Sequence, residues 1–370
     1  MNILIAGDFC PQHRVSEMIE DGKFEAVFSD VKETIATADF SIVNFECAVT
    51  TGIEKPTEKC GPNLQCSELG LKAVKWAGFD CVTLANNHFY DFGEDGVKNT
   101  LSACEKYGLD VVGGGKDIHD ASNILYKDIE GKILAVINCC EHEFSIATET
   151  RGGSNPLNPI QQYYAIRGAK EEADFVLVIV HGGHEHFQLP SPRMKEVYRF
   201  FIDAGADAVV NHHQHCYSGY ELYRDKPIFY GLGNFCFDKG YSLRNQWHEG
   251  YMVLLDFGEK SSFEIIPYCQ CSEQARIQLL RHNVFDDELK RFNAIITDQN
   301  SLAKAITLYY ESCAQYYSEI FEPCNNRVYL ACRRRGWLPS FIVQKRRLRA
   351  ENYICCESHR DKLEYYLNHK

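Results

Sequence analysis

Residues 176–185 are Val-Leu-Val-Ile-Val-His-Gly-Gly-His-Glu, five branched apolar residues followed by a short segment that contains two glycines, two histidines and a glutamate. An unbroken apolar run of this length, ended by a polar turn, is typical of a strand buried on both faces of a parallel sheet. Other apolar runs followed by polar residues repeat the pattern along the chain. They lie at 3–6, 41–43, 81–84 and 208–210.

Segments with helical periodicity separate these runs. They lie around 67–77, 95–107, 160–172 and 192–204. The last begins with the helix-start pair Ser191-Pro192 and ends at Ala204-Gly205. Further apolar runs at 227–231, 251–257 and 262–269 have little helix between them, which indicates antiparallel strands. The sequence therefore predicts an α/β sandwich.

The composition of the chain argues against several classes of protein. The chain has 370 residues and a net charge of −12, which argues against a general nucleic-acid binder, because phosphate contacts need a basic surface. It has no apolar run of about 18 residues, so we expect no transmembrane anchor. The N-terminus lacks the basic leader of a signal peptide, which predicts a cytoplasmic location. The 17 cysteines include no CxxC pair and are expected to be reduced thiols packed as small apolar side chains.

The character of the chain changes near residue 270. We predict one domain over 1–270 and a helical extension over 271–370, which holds 16 basic and 12 acidic residues. Its basic residues concentrate in segment 333–349, on both sides of Trp337. This segment is a candidate for peripheral contact with a membrane surface or a polyanion. A solvated face, or packing against the acidic first domain, is the alternative.

Potential metal ligands follow nearly every predicted strand. Because the carboxyl ends of parallel strands meet at one edge of a sheet, these clusters are expected to converge on one site. The clusters contain Asp8; Asn44 and Glu46; Asn86, Asn87, His88 and Asp91; His181, His184 and Glu185; and His212, His213 and His215. Carboxylate, amide and imidazole ligands together suit Mn²⁺, Zn²⁺ or Fe²⁺. His213 and His215 alternate along the chain, so in an extended strand each could bind one of two ions. Two such ions acidify a shared water, which predicts a hydrolase.

The order of these motifs resembles that of the CapA family, named for capsule and poly-γ-glutamate synthesis, and it is similar to calcineurin-like metallophosphoesterases. The resemblance covers about residues 1–240. It is carried by Gly7-Asp8, Asn44-x-Glu46, Asn86-Asn87-His88-x-x-Asp91, His181-Gly-Gly-x-Glu185, His213-x-His215 and Gly231-Leu-Gly-Asn234. It implies a metallophosphoesterase-like α/β/β/α sandwich with two divalent metal ions (Mn, Zn or Fe) at one edge of the sheets.

The resemblance also implies roles for single residues. Asp8 and His215 would hold the first ion, Asn87, His181 and His213 the second, and Glu46 would bridge them. His88 would protonate the leaving oxygen, and Asp91 would orient its ring. Glu185 would be a base or a further ligand, and Asn234 would line the site. The chain departs from the phosphoesterase pattern at Glu46, where aspartate is usual, and at Cys10, where histidine is usual.

Two further segments, one rich in glycine and one that contains glutamate, lie outside these motifs. The stretch Gly113-Gly114-Gly115-Lys116 lacks the spacing of a phosphate loop and predicts a turn after a short strand. The long segment 141–160 follows a predicted strand at 132–138 and contains Glu141-His142-Glu143 and Arg151. It is expected either to cover the site, with Arg151 recognising an anionic substrate, or to be mobile surface.

Three functions remain open. The first is metal-dependent phosphoester hydrolysis of an anionic small-molecule or polymer substrate, linked to capsule or exopolymer production. The second is amide hydrolysis of a polyglutamate-like polymer at the same centre. The third is a non-catalytic accessory role in polymer synthesis, with a structural metal site.

Overall fold

The structure is a computed structural model that describes residues 1–258, 261–321, 332, 335, 337 and 344–368. Much of the predicted basic segment 333–349, including Arg333 and Arg334, lies outside the described residues. Within the described part of the chain, no helix is both long enough and apolar enough to cross a membrane. The cysteines described there are all free thiols, and most are buried.

The chain alternates strands and helices through its first two thirds, as predicted. The strands before residue 150 are β1 (Asn2–Phe9), β2 (Phe40–Phe45), β3 (Ala48–Val49), β4 (Gln65–Cys66), β5 (Cys81–Thr83), β6 (Asp110–Val112), β7 (Gly114–Gly115), β8 (Leu125–Ile129) and β9 (Lys132–Cys140). The later strands are β10 (Gly153–Ser154), β11 (Phe175–His181), β12 (Ala208–His212), β13 (Tyr220–Tyr223), β14 (Lys226–Phe229), β15 (Asn234–Cys236), β16 (Glu249–Asp256), β17 (Ser262–Gln270) and β18 (Ile277–Leu279). The helices are α1 (His13–Glu20), α2 (Phe24–Ile35), α3 (Leu69–Ala77), α4 (Gly93–Tyr107), α5 (Ile118–Ala121), α6 (Pro159–Glu172), α7 (Pro192–Ala204), α8 (Asp286–Thr297), α9 (Gln299–Phe321), α10 (Gln344–Cys355) and α11 (Glu357–Asn368).

Two large sheets contain most of the strands. The first has the order β18-β17-β16-β1-β2-β5-β6, with β15 parallel to β1, and the second has the order β13-β14-β12-β11-β9-β8. Strands β1, β2 and β5 pair in parallel in the first sheet, and β9, β11 and β12 pair in parallel in the second. Strands β16 to β18 pair antiparallel with their neighbours. The antiparallel strands predicted at 251–257 and 262–269 are therefore confirmed, whereas β14, in the predicted run at 227–231, pairs in parallel with β12 and antiparallel with β13.

The first strand shows why the two sheets stack with helices outside them. Ile3 and Ile5 join the apolar core that also contains residues of β9, β11 and β12, while Leu4 and Ala6 join a separate core with α1 to α4. Successive side chains of a strand point to opposite faces, so the alternation places one sheet face against the other sheet and the opposite face against helices. Helices α6 and α7 pack on the second sheet. The predicted α/β/β/α sandwich is confirmed.

The structure corrects the helix assignment near the N-terminus, where α1 and α2 were not predicted. In α2, Phe24, Val27, Phe28, Val31 and Ile35 are buried, a spacing that matches one face of a helix. Helix α7 begins and ends where the sequence predicts, because the Ser191 side chain caps the Met194 amide at its start. The glycine stretch 113–115, predicted as a turn after a short strand, is only partly one: Gly113 follows β6, but Gly114 and Gly115 form the short strand β7.

The sheet continues past the domain boundary placed at residue 270. Strand β18 pairs with β17, and the buried residues of α8 and α9 belong to the same apolar core as the second sheet. Three-residue β18 is too short to give a periodic signal, which explains why the predicted boundary falls inside the sheet. Residues 277–310 thus pack with residues 1–270.

Gly7 allows β1 to approach the loop before β15. An added Cβ at this position would lie 1.9 Å from the carbonyl oxygen of Gly233. We expect Gly7→Ala to lower the free energy of unfolding by about 1–3 kcal/mol, as overpacking does in other cores. Urea denaturation measures this loss. Gly168→Ala is the matched control, since no atom lies within 4 Å of its added Cβ, and equal stability of the two variants would contradict the prediction.

Candidate metal centre

The carboxyl ends of four central strands supply the predicted ligands. Asp8 lies near the end of β1, Glu46 follows β2, His181 ends β11, and His213 follows β12. The remaining two, Asn87 and His215, lie on the loops after β5 and β12, and all six side chains are buried. The edge-to-edge convergence expected from the sequence is thus present, since both sheets direct these ends to the same place.

The six side chains divide into two groups that share Glu46. In one group, the ligand atoms of Asp8, Glu46 and His215 lie within 4.8 Å of one another, and in the other those of Glu46, His181 and His213 do. Glu46 Oε1 is 3.7 Å from Nε2 of both His181 and His215. Asn87 Oδ1 is 3.0 Å from His181 Nε2, which places it with the second group. This division is the one that the family resemblance implies; the assignment of each residue as a ligand stays a prediction.

The backbone around the two histidines differs from the extended chain assumed from the sequence. His213 and His215 have φ angles of 91° and 56°, in the left-handed region that non-glycine residues rarely adopt. Their rings approach the centre because of this turn and not because of strand alternation. The extended strand assumed for these two residues was therefore wrong, although both rings lie at the centre.

Glu46 has an unusual electrostatic environment. It is fully buried, and neither carboxylate oxygen accepts a hydrogen bond from a described residue. Burial, followed by the charge of Asp8, raises the pKa of Glu46 well above its ordinary value. Burial also raises the pKa of Asp8 to about 6, against the lowering effect of its hydrogen bond from Asn44. A buried carboxylate that accepts no hydrogen bond is strongly unfavourable, and cations between the two groups would remove that penalty. The residues present therefore fit a pair of divalent ions.

Amide side chains fix the orientation of this centre. Asn44 Nδ2 lies 2.8 Å from Asp8 Oδ1 and 3.2 Å from His181 Nδ1, so one amide holds a member of each group. Asn234 Oδ1 lies 2.9 Å from His215 Nδ1, which leaves His215 Nε2 directed at Glu46. Asn234 was predicted to line the site. The positioning contacts of Asn44 were not predicted, although the residue belongs to the quoted motif.

The predicted His88–Asp91 pair is formed beside the centre. His88 Nδ1 is 2.6 Å from Asp91 Oδ2, and His88 Nε2 points inward, 4.0 Å from Glu46 Oε1. Lys59, which the sequence analysis missed, is buried against both and pairs with Asp91. Burial, followed by the Lys59 charge, lowers the pKa of His88. No local pattern marks Lys59, because it reaches the pair from a long loop.

The other predicted residues lie at different distances from the centre. Glu185 is an exposed residue on the loop after β11 and interacts electrostatically with His213 and His215. Arg151 contacts the ring of Tyr90 and the carbonyl of Ile146 instead of the predicted metal ligands, so its role in substrate recognition stays a prediction. Cys10 is fully buried.

The segment 141–160 does border the site. Glu143 Oε2 is 3.3 Å from Asn87 Nδ2, and the Ser145 hydroxyl accepts a hydrogen bond from the Tyr90 amide. Ser154 hydrogen-bonds the backbone of Asn86. These contacts support the loop that carries Asn87 and His88.

Sequence comparison adds relatives from two bacilli. The capsule biosynthesis protein CapA of Bacillus anthracis is 35% identical over 250 residues, which are 65% of this chain and 61% of that protein. The PGA biosynthesis protein CapA of Bacillus subtilis strain 168 is 32% identical over 239 residues, 64% of this chain and 63% of that protein. The match therefore spans less than two thirds of the length of either relative.

A solved structure and a protein family are also similar to this chain. The 5'-nucleotidase precursor of Thermus thermophilus aligns with 79% of this chain and 57% of its own at 10% identity, with a TM-score of 0.45. The family described as bacterial capsule synthesis protein PGA_cap matches residues 2–239. That region contains both sheets' site-bearing strands and every predicted metal ligand, and the chain belongs to the PGA_cap family of bacterial capsule synthesis proteins.

Proposed function

We propose that this protein is a metal-dependent hydrolase of anionic phosphoester substrates that acts in the production of a capsule or of a poly-γ-glutamate-like polymer. The chemistry rests on one observation above all. Glu46 is fully buried, accepts no hydrogen bond from a described residue and is shared by two groups of potential ligands. The biological setting is supported by the names of the two CapA relatives.

The residues of the chain suit a dinuclear centre for Mn²⁺, Zn²⁺ or Fe²⁺. Asp8 and His215 would hold one ion, and Asn87, His181 and His213 the other, with Glu46 between them. When bound, such ions stabilise negative charge that develops on the substrate and acidify water near neutral pH. Asn44 and Asn234 keep the ligands in place through the hydrogen bonds described above.

His88 is the residue placed to move a proton. Its Nδ1 is held by Asp91, so its Nε2 faces the centre and can donate to the leaving oxygen. The lowered pKa makes the ring neutral near pH 7 in the free protein. An anionic substrate beside Nε2 favours the charged ring, which couples protonation of His88 to binding. Lys59 and Asp91 act on this step by positioning His88.

The test is turnover by the full chain loaded with Mn²⁺. The panel consists of an aryl phosphodiester, an aryl phosphomonoester and a γ-glutamyl peptide. We expect hydrolysis of a phosphoester, and we expect His88→Asn to lower kcat by about 10²- to 10⁴-fold, the usual contribution of a general acid. Its metal content should equal that of the wild type. His119→Asn, at an exposed histidine on α5, is the matched control and should retain full activity.

The outcomes separate the candidate functions. Equal turnover by His88→Asn and the wild type would contradict the role of His88. Hydrolysis of the γ-glutamyl peptide alone would assign amide hydrolysis to the same centre. Metal binding without turnover of any substrate in the panel would support an accessory role in polymer synthesis.

A further inference from the structure

The C-terminal segment lies against the loop that follows β9. Glu357 Oε1 is 2.6 Å from His142 Nδ1, and Glu357 Oε2 accepts a hydrogen bond from the His142 amide. Ser358 donates from its amide and its hydroxyl to Glu141 Oε2, at 3.2 and 2.6 Å. The start of α11 is therefore fixed beside residues 141–143, whose other neighbour is the candidate centre.

Three different metal-binding side chains meet at this contact. The ligand atoms of Glu143, Cys356 and His359 lie within 4.8 Å of one another. Cys356 Sγ is 3.5 Å from Glu143 Oε1 and 3.7 Å from Glu141 Oε2, so two carboxylates face one buried sulfur. The His359 ring stacks on Tyr353 with centroids 5.0 Å apart, which fixes the plane of the imidazole.

The geometry suits tetrahedral zinc. Bonds of about 2.3 Å to sulfur and about 2.0 Å to oxygen, at the tetrahedral angle, place the two ligand atoms about 3.5 Å apart. The Cys356–Glu143 distance has this value without any rearrangement. Thiolate, imidazole and carboxylate are also the three ligand types that Zn²⁺ takes in proteins. Cys356 is buried whereas Glu143 and His359 are half-buried, which leaves a fourth position on the open side.

We propose that Glu143, Cys356 and His359 form a third metal site, for Zn²⁺, next to the candidate pair. Glu143 connects the two, because its other carboxylate oxygen is 3.3 Å from Nδ2 of Asn87. Three protein ligands and one free position leave room for water or for an oxygen of a substrate. Cys356 and His359 lie outside the region matched by the family, so the site is additional to the pair and does not depend on it.

Cobalt substitution in the full-length protein tests the proposal, because a thiolate bound to Co²⁺ gives a charge-transfer absorption band that nitrogen and oxygen ligands do not give. We expect the band in the wild type and its loss in Cys356→Ser. Cys355→Ser, at the exposed neighbouring cysteine, and Cys10→Ser, near Glu46, are the controls and should keep it. His359→Gln and Glu143→Gln should weaken Co²⁺ binding at this band by at least about tenfold, since even outer contacts of a metal site contribute that much.

Two results would overturn the proposal. A band that persists in Cys356→Ser and disappears in Cys10→Ser would place the thiolate ligand at the candidate pair instead. No band in the wild type at saturating Co²⁺ would reduce the contact to a thiol–carboxylate hydrogen bond. If Cys356→Ser fails to fold, as judged by circular dichroism, the Co²⁺ affinity of His359→Gln tests the proposal instead: weaker binding supports it and unchanged binding contradicts it. A band that survives in Glu46→Gln separates this site from the pair of the proposed function.

Discussion

Glu46→Gln is expected to abolish metal binding at the proposed dinuclear centre and, with it, the proposed hydrolysis. The substitution keeps the size of the side chain but removes the charge that both ligand groups share, and amide oxygen is a far weaker bridge between cations. We expect the affinity for Mn²⁺ at both positions to fall by more than about 100-fold. This exceeds the loss caused by removing a residue that only contacts a metal ligand. Isothermal titration and elemental analysis of the purified variant measure this loss.

Thermal stability provides the control for Glu46→Gln. Without metal, the variant should be at least as stable as the wild type, because it no longer buries a carboxylate against Asp8. Mn²⁺ at about 100 times its Kd should stabilise the wild type by about 2.7 kcal/mol, and it should leave the Tm of the variant unchanged. The same Mn²⁺-dependent rise of Tm in both proteins would show that Glu46 is not a ligand.

Arg193→Met is expected to cause a large loss of stability, although Arg193 lies outside the centre. Arg193 Nη2 donates to Glu141 Oε1 at 2.6 Å, and its Nε is 3.2 Å from Asp361 Oδ2 on α11. The Glu141 side chain is only 4% exposed, so its charge would stay buried without this partner. Although burial opposes ionisation, Arg193 holds the pKa of Glu141 below its ordinary value. Removing one partner of a buried pair typically destabilises by about 3–5 kcal/mol.

Urea denaturation and hydrogen exchange of residues 344–368 measure the effect of Arg193→Met. Faster exchange in α11 should accompany the loss of stability, because Arg193 joins Glu141 on the loop to Asp361 and Ser358 on α11. Arg244→Met is the matched control. Its partner Glu249 is more exposed, so the change should stay within about 1 kcal/mol. Equal losses in the two variants would contradict the role given to Arg193.

The fold was largely predictable because its signals are local. A run such as 176–180 shows its burial in its own composition, and polar residues directly after it mark the edge of the sheet. The grouping of Glu46 with His181, His213 and His215 followed from the order of strand ends and from the family resemblance. Helix α2 was not predicted, although its buried positions have helical spacing and the sequence therefore contains the signal for it.

The contacts that were not predicted join distant parts of the chain. Lys59 reaches Asp91 from a loop without regular structure, and Cys356 meets Glu143 across 213 residues. A cysteine whose partners are a glutamate and a histidine on other elements has no spacing pattern that could reveal a metal site. The left-handed backbone of His213 also has no local sequence signal, since glycine or asparagine is the residue that usually marks such a conformation.

That conformation has a consequence for protein engineering. A non-glycine residue held in the left-handed region lowers the stability of the folded protein by about 1–3 kcal/mol relative to a relaxed backbone. His213 and His215 both have this conformation. Glycine at either place would relieve this strain, but it would also remove a buried imidazole and its contacts, so the change in stability is the difference between the two effects. Any gain in heat resistance would then come with the loss of a proposed metal ligand, a direct trade between stability and chemistry at one short turn.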